Sequence, residues 1–252
     1  MNDRPISSKS ASSRAASVLL SLLVAAALGA CDTGPTPEEK QAAQAARAEA
    51  EAQVQLKNFN DALTGRRPDM ALNFAEYILR TYPGTQVAAQ IRPQADTLRA
   101  QVEGARETKR LADLWVYHSV DDEEAKGVVR TAYIYSKDPV GAELDGSEKR
   151  ARLVLRRHPQ WGDDVYLLAD GGFVCKGKCT VKVQFDDGTA RDVPAYLPET
   201  GEPAIFVEDF RRFVPALPDA TTVRIDVVLQ QGGAKTLEFE VGEYNAATIG
   251  EL

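Results

Sequence analysis

The sequence has few of the residues on which most catalytic and metal sites depend. Among its 252 residues are two histidines, three cysteines, two methionines and two tryptophans. It contains no Gly-x-Ser-x-Gly nucleophile turn and no His-Glu-x-x-His metal motif. It also has no complete Gly-x-x-x-x-Gly-Lys-Ser/Thr phosphate loop, because the match over residues 172–178 is followed by Cys179. These absences exclude the common hydrolase, metalloprotease and nucleotide-binding signatures. We therefore expect a protein that is not an enzyme and that holds neither a metal nor a cofactor.

Basic charge and long apolar runs are also scarce. The 30 basic residues are outnumbered by 37 acidic ones, which leaves a formal charge of −7. Such a chain is repelled by nucleic acid and by anionic lipid head groups, so we expect no nucleic-acid partner. The longest uncharged apolar run is Ala15–Ala30. That run is shorter than the roughly 20 residues that a membrane-spanning helix needs.

What the sequence does contain begins with an export signal over residues 1–30. Arg4, Lys9 and Arg14 precede the uncharged run, which ends in Leu28-Gly29-Ala30-Cys31. This segment resembles the signal peptide and lipobox of bacterial lipoproteins. The alternative is an ordinary secretory signal in which Cys31 plays no part.

The lipoprotein resemblance implies how the protein meets a membrane. It implies cleavage before Cys31, a diacylglycerol on the Cys31 thiol and a fatty acid such as palmitate on the new amino group. The protein would then be anchored in the cell envelope and face the periplasm. The choice between the inner and the outer membrane stays open.

The other two cysteines predict a disulfide. Cys175 and Cys179 flank a Lys-Gly-Lys connection between apolar β-forming residues, and Gly177 suits a tight hairpin loop. Cysteines that face each other across such a hairpin are within disulfide reach, and an oxidising compartment favours the bond. Two alternatives are a redox-active thiol pair, with Lys176 and Lys178 lowering the thiol pKa, and a metal site that lacks further ligands.

Residues 31–37 predict a Pro/Gly linker, and residues 38–112 predict a helical region. Its first part is rich in Ala, Glu and Gln. Pro68 then opens a second helix, Pro83-Gly84 ends it, and a third apolar stripe begins at Val87. Pro93 lies inside that stripe, so we expect it to kink or split the third helix. The two helices around Pro83-Gly84 resemble one tetratricopeptide-like hairpin.

Residues 113–245 predict a β domain that contains the disulfide. Apolar and polar residues alternate with a period of two, turn residues separate the runs, and a short helix is expected over 209–217. The fold class is therefore α+β, an N-terminal helical segment followed by an antiparallel β-sandwich-like domain or strongly curved sheet.

Several motifs of this second half resemble an uncharacterised domain of exported bacterial proteins. They are Trp115-x-Tyr117, Leu153-x-Leu155-Arg156-x-His158-Pro159, Phe173-x-Cys175 with Cys179-x-Val181, and Phe185-Asp186-Asp187-Gly188. The likeness spans residues 115–242 and implies no activity. Trp115, Tyr117 and Trp161 are interpreted as core or rim packing, and Asp186-Asp187-Gly188 as a hairpin turn.

One basic cluster stands out from the acidic background. Lys149, Arg150, Arg152, Arg156 and Arg157 lie within ten residues, and strand alternation places Arg150, Arg152 and Arg156 on one face. With Lys176, Lys178 and Lys182 they form a candidate site for an anion or an acidic partner. The alternative is that these cations pair with the protein's own carboxylates.

These features favour a lipid-anchored, non-catalytic interaction or scaffold module. Its expected partners are the membrane, reached through the acylated Cys31, and an envelope protein or glycan. Two alternatives remain open. One is an inhibitor or immunity-type lipoprotein that blocks a cell-wall hydrolase, and the other is an enzyme with dispersed carboxylates.

Overall fold

The computed structural model describes residues 34–142 and 145–250. Cys31, the predicted lipid-attachment residue, and the predicted signal segment lie outside the described residues. Three helices come first, α1 (Pro37–Thr64), α2 (Pro68–Thr81) and α3 (Gln86–Leu114). Contacts divide the chain into two units, residues 1–47 and 48–252. None of the helices in the described ranges has the length and apolar content of a membrane span.

The start of α1 is fixed by a reciprocal cap. The Thr36 backbone N–H donates to the Glu39 carboxylate at 2.7 Å, and the Glu39 N–H donates to the Thr36 hydroxyl at 3.2 Å. This is the capping box, which satisfies two amide groups that have no partner within the helix.

From Ala48 onward, α1, α2 and α3 share one apolar core. It contains Phe59 of α1, Ile78 of α2, and Ile91 and Leu98 of α3, together with small residues between them. The helix α3 runs without interruption past Pro93, so the prediction that this proline splits it is wrong. The apolar stripe on both sides of Pro93 is buried in the same core.

Within the described residues, nine strands form one antiparallel sheet in the order β1-β2-β5-β6-β9-β8-β7-β10-β11, and β3 pairs with β4 in a separate ribbon. The strands are β1 (Val116–Asp122), β2 (Gly127–Tyr135), β3 (Gly141–Ala142), β4 (Glu148–Lys149), β5 (Arg152–His158), β6 (Gly162–Leu168), β7 (Lys178–Phe185), β8 (Arg191–Tyr196), β9 (Ala204–Val207), β10 (Val223–Leu229) and β11 (Gly233–Phe239). Helix α4 (Phe210–Ala216), a 3₁₀ turn (Leu217–Asp219) and α5 (Ala246–Ile249) complete the chain. The α+β fold class is thus confirmed.

The sheet curls around a single core. Leu153 of β5, Val183 of β7, Ile225 of β10 and Phe213 of α4 are buried in the same cluster. The end strand β11 contacts the segment just beyond β2, because the Lys137 N–H donates to the Glu238 carbonyl of β11 at 2.8 Å. Each strand therefore has an inner face toward this core and an outer face away from it.

The predicted hairpins are confirmed in two places and wrong in a third. Strands β7 and β8 pair across Asp186-Asp187-Gly188, and β10 and β11 pair across Gly232-Gly233. Cys175 and Cys179 form a disulfide with Cα atoms 5.6 Å apart, but the segments on either side of them do not pair as a hairpin. Val174 donates instead to the Val228 carbonyl at 2.8 Å, so the segment before Cys175 pairs with the end of β10.

The last turn of α3 is attached to the end of β11. Trp115 is buried, and its indole N–H donates to the Val241 carbonyl at 3.2 Å. Arg110 pairs with Glu240 at 2.8 Å. Gly242 approaches so closely that an added Cβ would lie 2.9 Å from a Leu111 methyl group, and only glycine fits there without a shift.

Asp186 fastens the β7–β8 turn to the segment before β10. Its carboxylate accepts from the Thr221 hydroxyl at 2.6 Å and from the N–H groups of Thr221 and Thr222 at 3.0 and 2.8 Å. The Thr221 hydroxyl bond and the two N–H bonds hold the pKa of Asp186 below its ordinary value.

We expect Asp186→Asn to lower the free energy of unfolding by about 1 kcal/mol at pH 7, because asparagine keeps the shape and loses the charge. Asparagine also tolerates the left-handed backbone at this position, where φ is 47°. Because the folded pKa is depressed, the contribution is complete above the unfolded pKa of about 3.9 and disappears as the pH falls through the folded pKa. Urea unfolding at pH 7 and pH 3 tests this, and an equal difference at both would contradict it.

Candidate functional site

The outer face of the sheet around β5 carries the strongest candidate site. Leu153 and Leu155 turn into the core, so the alternation of the strand places Arg152 and Arg156 on the outer face. Arg150 precedes β5 and is used locally, since its guanidinium donates to the Ser136 carbonyl at 2.9 Å and to that of Lys137, and pairs with Glu148. Two of the three predicted arginines therefore occupy this face.

Arg152 lies against two tyrosine rings. Its guanidinium carbon is 5.7 Å from the centroid of the Tyr133 ring and 6.0 Å from that of Tyr135. These rings belong to the neighbouring strand β2, where Tyr135 is directly opposite Arg152. Across residues 34–142 and 145–250 no carboxylate forms an ion pair with Arg152. Its charge faces ring electrons instead, a weak attraction that leaves the cation available.

The positive charge of Arg156, unlike that of Arg152, is neutralised by a carboxylate. Asp164 is directly opposite it on β6, and two guanidinium nitrogens donate to the same carboxylate oxygen at 2.6 and 3.2 Å. The guanidinium carbon also lies 5.3 Å from the Trp161 ring centroid and 5.5 Å from that of Tyr166. The alternative that the cations pair with the protein's own carboxylates therefore holds for Arg156 but not for Arg152.

A row of aromatic rings crosses the outer face next to these arginines. Tyr166 of β6 stacks on Phe206 of β9 at 4.9 Å between centroids, and Phe206 stacks on Tyr196 of β8 at 5.3 Å. At the other end, His118 of β1 stacks on Tyr133 at 5.8 Å. Burial raises the pKa of Tyr166 and of Tyr196, so both hydroxyls stay protonated at neutral pH.

Trp161 lies in the turn between β5 and β6 and is 68% exposed. Its ring stacks on the buried His158 with centroids 3.9 Å apart. The His158 Nδ1 atom accepts from the backbone N–H groups of Gln160 and Trp161 at 3.2 Å each, which fixes the imidazole and the turn together. The Trp161 indole is therefore exposed at the surface and positioned by its stacking on the buried His158.

We call this surface the arginine–aromatic face. It consists of Tyr133, Tyr135, Arg152, Arg156, Trp161, Tyr166, Tyr196 and Phe206. Sequence reasoning found its two arginines but not its rings, which were not recognised as members of one surface. No local signal could identify them, because the pairings of β2 with β5 and of β6 with β9 join strands that are far apart in sequence.

The structure does not bring the predicted lysines to Arg152. Lys176 lies in the disulfide loop and Lys178 begins β7, and β6, β9 and β8 separate β7 from β5 in the sheet. Four strand spacings of about 4.8 Å place Lys178 about 19 Å from β5 along the sheet. Lys178 is instead opposite Tyr196, at the far end of the aromatic row. The predicted basic cluster is therefore two separate groups.

A cavity lies elsewhere in the domain. It has a volume of about 790 Å³ and is lined by Arg157, Gly162, Asp163, Phe210 and Arg211. Arg157 is committed to the structure at this site, since it pairs with Asp163 at 3.3 Å and donates to the Gly250 carbonyl at 2.8 Å. In the described part of the chain no three His, Cys, Asp or Glu side chains are grouped as metal ligands.

Comparisons with known proteins add little to this geometry. No family model matches the chain, and comparison with curated proteins finds no match. Among solved structures, the chain is similar to invasion associated protein b from Bartonella henselae, with 14% sequence identity and a TM-score of 0.33. The similar region covers 51% of this chain and 84% of that one. A likeness this distant carries no argument about function.

Proposed function

We propose that this chain is a lipid-anchored, non-catalytic interaction module of the bacterial cell envelope that binds a partner protein through the arginine–aromatic face. The observation that carries the proposal is the combination of side chains on one rigid surface. Tyrosine, tryptophan and arginine are the residues most enriched among those that dominate the affinity of protein interfaces. Here they converge on the outer face of a sheet whose inner face is the core.

The exposure of individual side chains supports the same proposal. Tyr135 is 47% exposed and Trp161 is 68% exposed, while the other rings of the arginine–aromatic face are half-buried. Two prominent rings on a supported platform suit insertion into pockets of a partner. Trp161 is stacked on His158 and Tyr135 contacts the Tyr133 ring edge to face, so these contacts reduce the conformational entropy that is lost on binding.

The anchor in this proposal is Cys31. The lipobox places it directly after the apolar run, and residues 32–36 separate it from α1. Acylation at this cysteine would hold an acidic protein at a membrane whose head groups repel it.

Site-specific photocrosslinking tests the proposed surface. We expect p-benzoylphenylalanine in place of Tyr135 to give one discrete crosslinked adduct in living cells. The same substitution at Tyr77 of α2, a tyrosine 38% exposed outside this face, is expected to give none with that partner. Equal adducts from both positions, or an adduct from Tyr77 alone, would contradict the proposal.

A further inference from the structure

We infer that the partner presents an acidic peptide segment to the arginine–aromatic face and that Arg152 binds its carboxylate. This inference rests on the proposed function and specifies the chemistry of the partner. It assigns different roles to Arg152 and Arg156, which lie on the same face of β5.

The distinction comes from their charge partners. The Arg156 guanidinium is occupied by Asp164 at 2.6 Å, in a pair whose side chains are only 22% and 19% exposed. Arg152 has Tyr133 and Tyr135 beside it, and no carboxylate of the described ranges pairs with it. A carboxylate from a partner would complete at Arg152 the kind of pair that Asp164 already makes at Arg156, with the planar fork that arginine offers to carboxylates.

The stacking of the rings favours a peptide over a glycan. Phe206 lies between Tyr166 and Tyr196 on the neighbouring strands, so both of its faces are covered. Tyr133 is flanked by His118 on one side and Arg152 on the other. Sugars bind aromatic side chains by lying on ring faces, which Phe206 and Tyr133 do not offer. Ring edges carry partial positive charge instead and therefore favour carboxylate oxygens.

The strand geometry also sets the length of the segment. Arg152 and Arg156 are four residues apart on β5, about 13 Å at 3.3 Å per residue, and Trp161 lies beyond Arg156. An extended peptide spans the distance from Arg152 to Arg156 in four residue steps. The segment should therefore carry an acidic residue at one end, over Arg152, and a large apolar residue four or more positions away, over Trp161.

Peptide selection tests the inference. A displayed dodecapeptide library would be selected on the full chain, and the affinity of fluorescent versions of the enriched peptides would be measured by anisotropy. We expect enriched peptides to contain Asp or Glu with an apolar residue at that spacing. Arg152→Gln should weaken their binding about tenfold to a hundredfold, and Arg152→Lys should restore part of it.

The matched control is Lys182→Gln. Lys182 lies on β7, which β6, β9 and β8 separate from β5, and the substitution removes the same charge from an exposed pair with Asp192 of β8. It should change Kd less than about twofold. Oligogalacturonate serves as the acidic-glycan probe, and Trp161→Ser reports whether binding uses the face. Peptides that need Trp161 but are indifferent to Arg152→Gln would overturn the inference and leave the proposed function standing. Arg152-dependent binding of oligogalacturonate without peptide binding would overturn it in favour of a glycan. If binding of neither probe depends on Trp161 or Arg152, the proposed function fails with the inference.

Discussion

Replacing Cys31 by alanine is expected to abolish fatty-acid labelling of the protein completely. The expectation follows from the proposed lipobox, because in the lipoproteins that residues 1–31 resemble the cysteine thiol accepts the first lipid and the amino group becomes available only after cleavage. Growth with an alkyne fatty acid, followed by coupling to a fluorophore, measures the modification directly. This is an all-or-none result and therefore the largest effect that we expect from one substitution.

The chain supplies its own control for this experiment. The double variant Cys175→Ala/Cys179→Ala removes the remaining cysteines and should label as strongly as the natural protein. Labelling that survives Cys31→Ala, or that is absent from the natural protein, would show that the export signal is an ordinary secretory one.

Substitution by alanine is expected to have different effects at the two tryptophans, a large loss of stability at Trp115 and a loss of partner binding at Trp161. Trp115 is 5% exposed, packs 5.0 Å from Tyr244 and donates to the Val241 carbonyl. Trp115→Ala should lower the free energy of unfolding by about 3 to 5 kcal/mol, because it leaves a cavity where α3 meets the end of β11. That is a large part of the stability of an ordinary domain.

Trp161→Ala should cost less than about 1 kcal/mol, because the indole is mostly in water and the substitution chiefly removes its stacking on His158. It should nevertheless reduce partner binding. Urea unfolding compares the two variants directly, with binding measured on the folded protein. A large loss of stability at Trp161 or a small one at Trp115 would contradict the assignment of their roles.

The parts of the fold that depend on local patterns could be predicted from sequence. The alternation of Val181 to Phe185 and the glycines at 232 and 233 identify two hairpins whose register is set by adjacent residues. The Cys175 hairpin was wrong for a related reason. Its first segment finds a better partner in Val228 and Leu229, which are distant in sequence.

In the candidate site, too, local patterns predict some features, and pairing between strands decides the others. Strand alternation alone places Arg152 and Arg156 on one face, and the structure agrees. Their unequal charge state requires the register of β5 against β6, which sets Asp164 opposite Arg156 and Leu168 opposite Arg152. A sequence shows a cluster of cations, but only the cross-strand partners show which of them is neutralised.

The interpretation as core or rim packing is right for Trp115 and incomplete for Trp161. Trp115 belongs to the core, whereas Trp161 stands at the surface on a buried histidine. Residue type and spacing do not separate these cases, because the position of Trp161 depends on how the turn after His158 folds back over that ring.

The most direct test of the central claim is a crosslinking pull-down of the natural protein, Arg152→Glu and Lys182→Glu from the native envelope, quantified by mass spectrometry. Arg156→Glu is unsuitable, because it would place a second carboxylate beside the half-buried Asp164. We expect one stoichiometric partner that is retained by Lys182→Glu and lost by Arg152→Glu. The identity of the partner, a cell-wall hydrolase or another envelope protein, would then decide between an inhibitor and a scaffold. A partner retained equally by all three forms would contradict the assignment of the arginine–aromatic face as the binding surface.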